Sequence, residues 1–199
     1  EEIPCSCPVC SKYSAKELRE VPRQERVALL AEHNLYVIAA ELKRIREAIR
    51  EGRLWEVIES QAAAHPTLMD ALREFVRYAE FVARKHPVTR QPVKGIFFLT
   101  PLSRYRPEVV RHHNRLAKRY SPRSECLVLF EETPQKPFTR YGLIKEVLAD
   151  EPALVELCDL AVLSYGFSVI PLELDGVYPL SQYEVSRHVL EHGAEEIAA

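Results

Sequence analysis

The stretch Glu1–Tyr13, EEIPCSCPVCSKY, places Cys5, Cys7 and Cys10 close together, ahead of any helix or strand signal. Such a cluster reads in three ways: a disulfide knot, a metal claw, or the edge of a larger folded unit. The rest of the sequence decides among them. The chain has five cysteines. An odd count in a chain of 199 residues speaks against a secreted disulfide framework, which is more often even-numbered and shorter. The other two, Cys126 and Cys158, sit beside the apolar runs CLVLF and LCDLAVL, where buried thiols are expected.

Three thiols separated by one and two residues can converge on one ion, and tetrahedral zinc asks for a fourth ligand. The next candidate is His33, at the expected start of a helix that carries an apolar stripe. A rigid helix N-terminus presents its imidazole, and the cysteine loop can wrap back onto it. A histidine alone near a helix start is usually a polar group and nothing more. Together, Cys5, Cys7, Cys10 and His33 make a zinc site. Three thiolates and one imidazole fill the tetrahedron, so the expected Zn2+ is one structural ion rather than a catalytic one.

Around that claw the chain reads as helical. Ser14 and Glu17 fit a capping box, which starts a short helix running into RQERVALLAEHNLYV. Leu35, Ile38, Leu42, Ile45 and Ile49 then recur at alternating three- and four-residue spacings, one apolar stripe of an amphipathic helix ending near Gly52. Another helix is expected from Pro66 to about Lys85, with Pro66 in its first turn. The segment RKHPVTRQPVKG, residues 84–95, reads as a linker and domain boundary.

The second half changes character. GIFFLT reads as a strand, PEVVRHHNRLAKRY as a helix opened by Pro107, CLVLF as a strand and TRYGLIKEVLAD as a helix. DLAVLSYGFSVIPLEL holds one or two more strands, and a last helix is expected from about Ser181 through QYEVSRHVLEH. Strands alternating with helices predict a small α/β domain with partly parallel pairing. The resulting division is residues 1–88, helical and zinc-binding, and residues 94–199, α/β.

Composition bounds the function. The net charge of −2 excludes a uniformly basic nucleic-acid binder, so any such contact needs a local patch. No apolar run approaches the roughly 20 residues that cross a bilayer, and no signal-peptide pattern precedes Cys5. A soluble, cytoplasmic protein without a membrane partner is the expectation.

The segments PCSCPVCSKY, EHNLYV and ELKRIREAIREGRLWEVIE, with AHPTLMDALR and GVYPLSQYE further on, resemble the archaeal tRNA-guanine transglycosylases of archaeosine synthesis. Cys-x-Cys-x-x-Cys with a downstream His-Asn-Leu matches that family's zinc signature. The resemblance implies a pentosyltransferase that exchanges guanine 15 of the tRNA D-loop for 7-cyano-7-deazaguanine (preQ0). In the family, an Asp nucleophile on a TIM barrel attacks the anomeric carbon and holds the RNA covalently. The barrel's strands would lie upstream of Glu1, and an RNA-binding PUA domain beyond Ala199. The expected fold is therefore α/β (α+β): the helical, zinc-bearing C-terminal section of a TIM-barrel domain, followed by a small α/β accessory domain. Its partners would be tRNA and a barrel-bearing segment or subunit, and a homodimer is compatible with the resemblance. The chain by itself is expected to be inactive, with no catalytic residue.

Two rivals remain at this stage. One is a non-catalytic zinc protein that binds tRNA or scaffolds a barrel subunit. The other is the paralogous archaeosine synthase, which carries a Pro-Cys motif before Lys-Pro-Tyr. The corresponding stretch here, EETPQKPFTRYG, has no cysteine.

Phosphate contacts would fall to Lys and Arg. Lys43, Arg44, Arg46, Arg50 and Arg53 cluster on or just past the stripe helix, interleaved with Glu41, Glu47 and Glu51. That mixture is also the pattern of an ordinary ion-paired helix. A second basic set is Arg104, Arg106, Arg111, Arg115, Lys118 and Arg119. Asp159 and Asp175 read as surface or strand-end acids, Glu131-Glu132 as a solvated turn, and His112-His113 as a half-exposed helix face.

Overall fold

The computed structural model describes residues 4–86, 95–186 and 189. The chain divides into two compact units, Glu1–Arg50 and Glu51–Ala199.

In the first unit, α1 (Ala15–Glu20) starts at the expected capping box. The Ser14 backbone N–H donates to Glu17 Oε2 at 2.7 Å, and the Glu17 N–H donates to Ser14 Oγ at 3.3 Å. Helix α2 (Arg23–Arg50) runs for 28 residues, about 42 Å at 1.5 Å per residue. The Arg26 guanidinium donates to the Arg19 carbonyl at 2.9 Å, holding the end of α1 against the start of α2. The small core of this unit is Cys7, Val9 and Leu18, with Cys5, Cys10, Tyr13 and Leu29 packed against it. The predicted apolar stripe lies on α2, yet its first three members are exposed: Leu35 by 68%, Ile38 by 56% and Leu42 by 47%.

The second unit opens with α3 (Leu54–Ala62), α4 (Pro66–Phe75) and α5 (Ala79–Lys85). The helix expected over 66–85 is thus two helices, joined by a 3-10 turn at Val76–Tyr78. Strand β1 (Ile96–Phe98), helix α6 (Pro107–Arg119) and strand β2 (Leu127–Glu131) follow. Then come α7 (Gly142–Asp150), α8 (Ala153–Leu157), β3 (Asp159–Ser164), β4 (Ser168–Pro171) and β5 (Tyr183–Val185). Sequence reading missed α3 and the short α8. The helix expected from Ser181 is corrected over its first residues, because Tyr183–Val185 pair with Ile96–Phe98 as a parallel strand. Most of the remainder of that segment lies outside the described residues, as does residues 87–94 of the expected linker.

Among the described residues two small sheets result. One is the parallel pair β1–β5, and the other has the order β2-β3-β4, parallel in its first pairing and antiparallel in its second. Helices of this number beside small mixed sheets make the chain α+β. The core joins both sheets to α6 and α7 through Ile96, Phe98, Val109, Phe138, Ile144, Val162, Phe167, Ile170, Leu180 and Tyr183. Within it Phe98, Phe167 and Tyr183 meet edge to face, with centroids 5.3–5.7 Å apart. Glycine is required at position 95, where φ is +110° and a Cβ would lie 2.7 Å from the Gln182 carbonyl oxygen across the β1–β5 pair.

Helix α3 is tied to β1 and to the turn before α6 by buried ionic and hydroxyl groups. The Arg106 guanidinium, fully buried, donates to both carboxylate oxygens of Glu56 and to the Phe97 carbonyl. Glu59 accepts from Ser103 Oγ at 2.8 and 2.9 Å and from Thr100 Oγ1 at 3.0 Å. These bonds place α3–α5 in the same compact unit as the sheets, Glu51–Ala199.

Candidate metal centre

The cysteine loop is shaped by its own backbone. The Ser11 N–H donates to the Cys7 carbonyl, and the N–H groups of Lys12 and Tyr13 both donate to the Val9 carbonyl, each at 3.0 Å. These turns carry Cys7 and Cys10 to the same side. The Cys10 N–H also points at Cys7 Sγ, 3.4 Å away. Helix α2 delivers His33 to that side from within its N-terminal half, not from the helix start that the sequence suggested.

The Nδ1 atom of His33 lies 3.7 Å from Cys5 Sγ, 3.4 Å from Cys7 Sγ and 3.2 Å from Cys10 Sγ. All four donor atoms fall within 4.8 Å of one another. A tetrahedron with Zn–S of about 2.3 Å and Zn–N of about 2.0 Å has S···N edges of about 3.5 Å. The observed spacings bracket that length, so the group can hold one metal ion. Cys7 is buried, and Cys5, Cys10 and His33 are half-buried, which limits access of water to a bound ion.

The thiols differ electrostatically. The Cys10 N–H, together with the weaker contact to His33, lowers the Cys7 thiol to about 6 against the opposing effect of burial. Burial and the neighbouring Cys7 and Cys5 sulfurs push the Cys10 thiol up to about 12. Three adjacent thiolates repel one another, so complete deprotonation requires a bound cation. The donor set therefore fits a thiophilic divalent metal.

The basic residues are more divided than their sequence positions suggest. Lys43, Arg44, Arg46 and Arg50 are exposed on α2, and Arg44 and Arg50 pair with Glu41 and Glu47 at 3.6 and 3.0 Å. Arg53 belongs to the second unit, where its guanidinium stacks over the Phe97 ring at 4.5 Å from the centroid. In the second set, Arg106 is corrected outright, since a fully buried guanidinium paired with Glu56 and Glu108 cannot meet a phosphate. Arg111 donates to the Ala83 and His86 carbonyls, both at 2.8 Å. Arg115, Lys118 and Arg119 stay exposed. Arg115 and Arg119 flank a cavity of about 530 Å³ that is also lined by Tyr120, Tyr178, Leu116 and Leu180.

Several acids read as solvated are structural anchors. Asp175 is buried and accepts from the Phe138 and Thr139 N–H groups and from Thr139 Oγ1. Asp159, 2% exposed, accepts from the Arg123 and Ser124 N–H groups. Burial would raise its carboxyl, but those donors outweigh burial and hold it below the usual value. Glu132 accepts from the Tyr165 N–H at 2.8 Å and pairs with Lys136 at 2.9 Å. His112 is buried, its Nε2 2.7 Å from the Val169 carbonyl, whereas His113 is exposed and bonds the Phe167 carbonyl. Period and polarity alone did not reveal these anchors, because the backbone groups they bind lie more than 30 residues away in the chain.

Comparison with known proteins agrees with the geometry of the claw. Residues 2–67, which contain all four candidate ligands, match the family model described as queuine tRNA-ribosyltransferase. Most of the chain is similar to archaeal proteins named tRNA-guanine(15) transglycosylase. The protein of that name from Methanocaldococcus jannaschii is 40% identical over 92% of this chain and 26% of its own length. The one from Saccharolobus solfataricus is 36% identical over 96% of this chain and 38% of its own. The one from Methanobrevibacter smithii is 40% identical over 94% and 28%. The chain thus spans between about a quarter and two-fifths of the length of these relatives.

Proposed function

We propose that this chain is the zinc-bearing part, with an adjoining accessory domain, of an archaeal tRNA-guanine transglycosylase. The assembled enzyme exchanges guanine 15 in the tRNA D-loop for 7-cyano-7-deazaguanine. The observation that carries this reading is the convergence of Cys5, Cys7, Cys10 and His33 at tetrahedral spacing, within the residues that match the family model.

Zinc held by these four side chains would supply a covalent-strength tie between the cysteine loop and α2, with no open position for substrate. The residues of this chain then act by position. The claw holds α2 at His33, in the helix's N-terminal half, and α2 presents Leu35, Ile38 and Leu42 as an exposed apolar face. That face suits burial against a barrel-bearing segment or subunit, where the base exchange itself takes place. Lys43, Arg44, Arg46, Arg50 and Arg53 are the proposed tRNA contacts. Arg115 and Arg119, beside their cavity, are a second proposed cationic set. Among the described residues no helix is long and apolar enough to cross a membrane, consistent with a cytoplasmic tRNA enzyme.

The test is guanine exchange on tRNA, measured with this chain alone and after reconstitution with a barrel-bearing polypeptide from a relative. Exchange only in the reconstituted sample supports the reading. Exchange by the chain alone would show that its own residues carry the chemistry, and no exchange in any combination would favour a non-catalytic tRNA-binding role.

A further inference from the structure

Cys126 and Cys158 were expected to be separately buried thiols, but the structure brings them together. Strands β2 and β3 run parallel with Leu127 opposite Asp159, so the cysteines that precede them stand opposite each other at the entry to the sheet. Their sulfurs are 2.8 Å apart. Two bonds clamp the backbones at the same level. The Asp159 N–H donates to the Cys126 carbonyl at 2.8 Å. Ser124 Oγ donates to the Leu157 carbonyl while accepting the Cys126 N–H at 3.0 Å. Cys126 is exposed and Cys158 is buried.

We propose that Cys126 and Cys158 are an oxidation site that closes to an intrachain disulfide by exchange with a low-molecular-weight disulfide. A disulfide needs sulfurs about 2.05 Å apart, so closure moves them by less than about 1 Å within a clamped frame. A shared metal ion fits less well, since two sulfurs on one tetrahedral zinc stand about 3.7 Å apart.

The order of steps follows from exposure. The Cys126 thiolate attacks one sulfur of the small disulfide, releasing one thiolate and leaving a mixed disulfide on Cys126. Contact with Cys126 and burial raise the Cys158 thiol, which keeps it protonated and leaves the first attack to Cys126. Cys158 loses its proton to solvent and attacks Cys126 Sγ, expelling the second small thiolate. The protein dithiol gives up two electrons and two protons, and the reagent becomes two thiols.

The experiment uses the whole chain, purified in the presence of zinc and treated with oxidised glutathione. It is then denatured, alkylated and digested with trypsin without reduction. The expected product is peptide 124–140 joined to peptide 146–187, with alkylation lost at both cysteines and restored by dithiothreitol. In Cys158→Ser, which lacks the second thiol, glutathione should remain on Cys126. A wild-type chain that keeps glutathione on Cys126, or that alkylates at both cysteines after exhaustive treatment, would overturn the proposal.

Discussion

The guanidinium of Arg106 meets the carboxylate of Glu56 fork to fork, with Nη1–Oε1 at 3.2 Å and Nη2–Oε2 at 3.3 Å. The arginine is fully buried and takes a further carboxylate, Glu108, on Nε at 2.9 Å. Removing the cation would leave two acids in a site with little water. Arg106→Ala should therefore lower the unfolding free energy by roughly 3–5 kcal/mol. Trp55 is the chain's single tryptophan and is buried in the same unit, so its fluorescence in a denaturant titration reports the loss. A change below about 1 kcal/mol would mean that the pair is solvated, as exposed pairs are.

Glu59 provides a pH signature. Burial raises its carboxyl above the ordinary value, although Ser103 and Thr100 donate to it. The native state thus binds the proton more tightly than the unfolded chain, whose glutamate titrates near about 4.3. The contribution is fully present below that value and is lost as pH rises through the native one. Glu59→Gln has no charge to bury. The stability of the wild type relative to Glu59→Gln should therefore fall as urea titrations are carried upward from about pH 4. A difference that is constant with pH, or that grows in favour of the wild type, would contradict a raised carboxyl.

The exposed stripe of α2 separates folding from assembly. Replacing Leu35, Ile38 and Leu42 with glutamate should change the stability of the isolated chain by no more than about 0.5 kcal/mol per site, as for other surface positions. The same triple variant should lose association with a barrel-bearing partner by pull-down or gel filtration. Unfolding of the isolated variant would show instead that the stripe is packed within this chain.

The elements most visible in the sequence were those whose signal is local. The Ser14–Glu17 capping box, Pro107 at the start of α6 and the apolar strands beginning at Ile96, Leu127 and Asp159 all stand where the sequence puts them. The metal claw was legible for a related reason: closely spaced cysteines are rare without a common purpose, and only the fourth ligand required a jump along the chain. Tertiary pairing was not legible. Tyr183–Val185 carries helix-compatible residues and becomes a strand only because β1 offers it a partner. Arg106 looked like a surface cation because the acid that meets it fork to fork, Glu56, lies 50 residues away in α3. Asp159 and Asp175 likewise satisfy backbone N–H groups more than 30 residues distant. Burial of polar groups is decided by such partners, which no local pattern encodes.

Metal content of the purified chain decides whether Cys5, Cys7, Cys10 and His33 hold one structural zinc. The expected result is about one zinc ion per chain, with marked loss in His33→Ala and in Cys10→Ser. Clearly substoichiometric zinc in the wild-type chain, or a zinc content unchanged by His33→Ala, would contradict it.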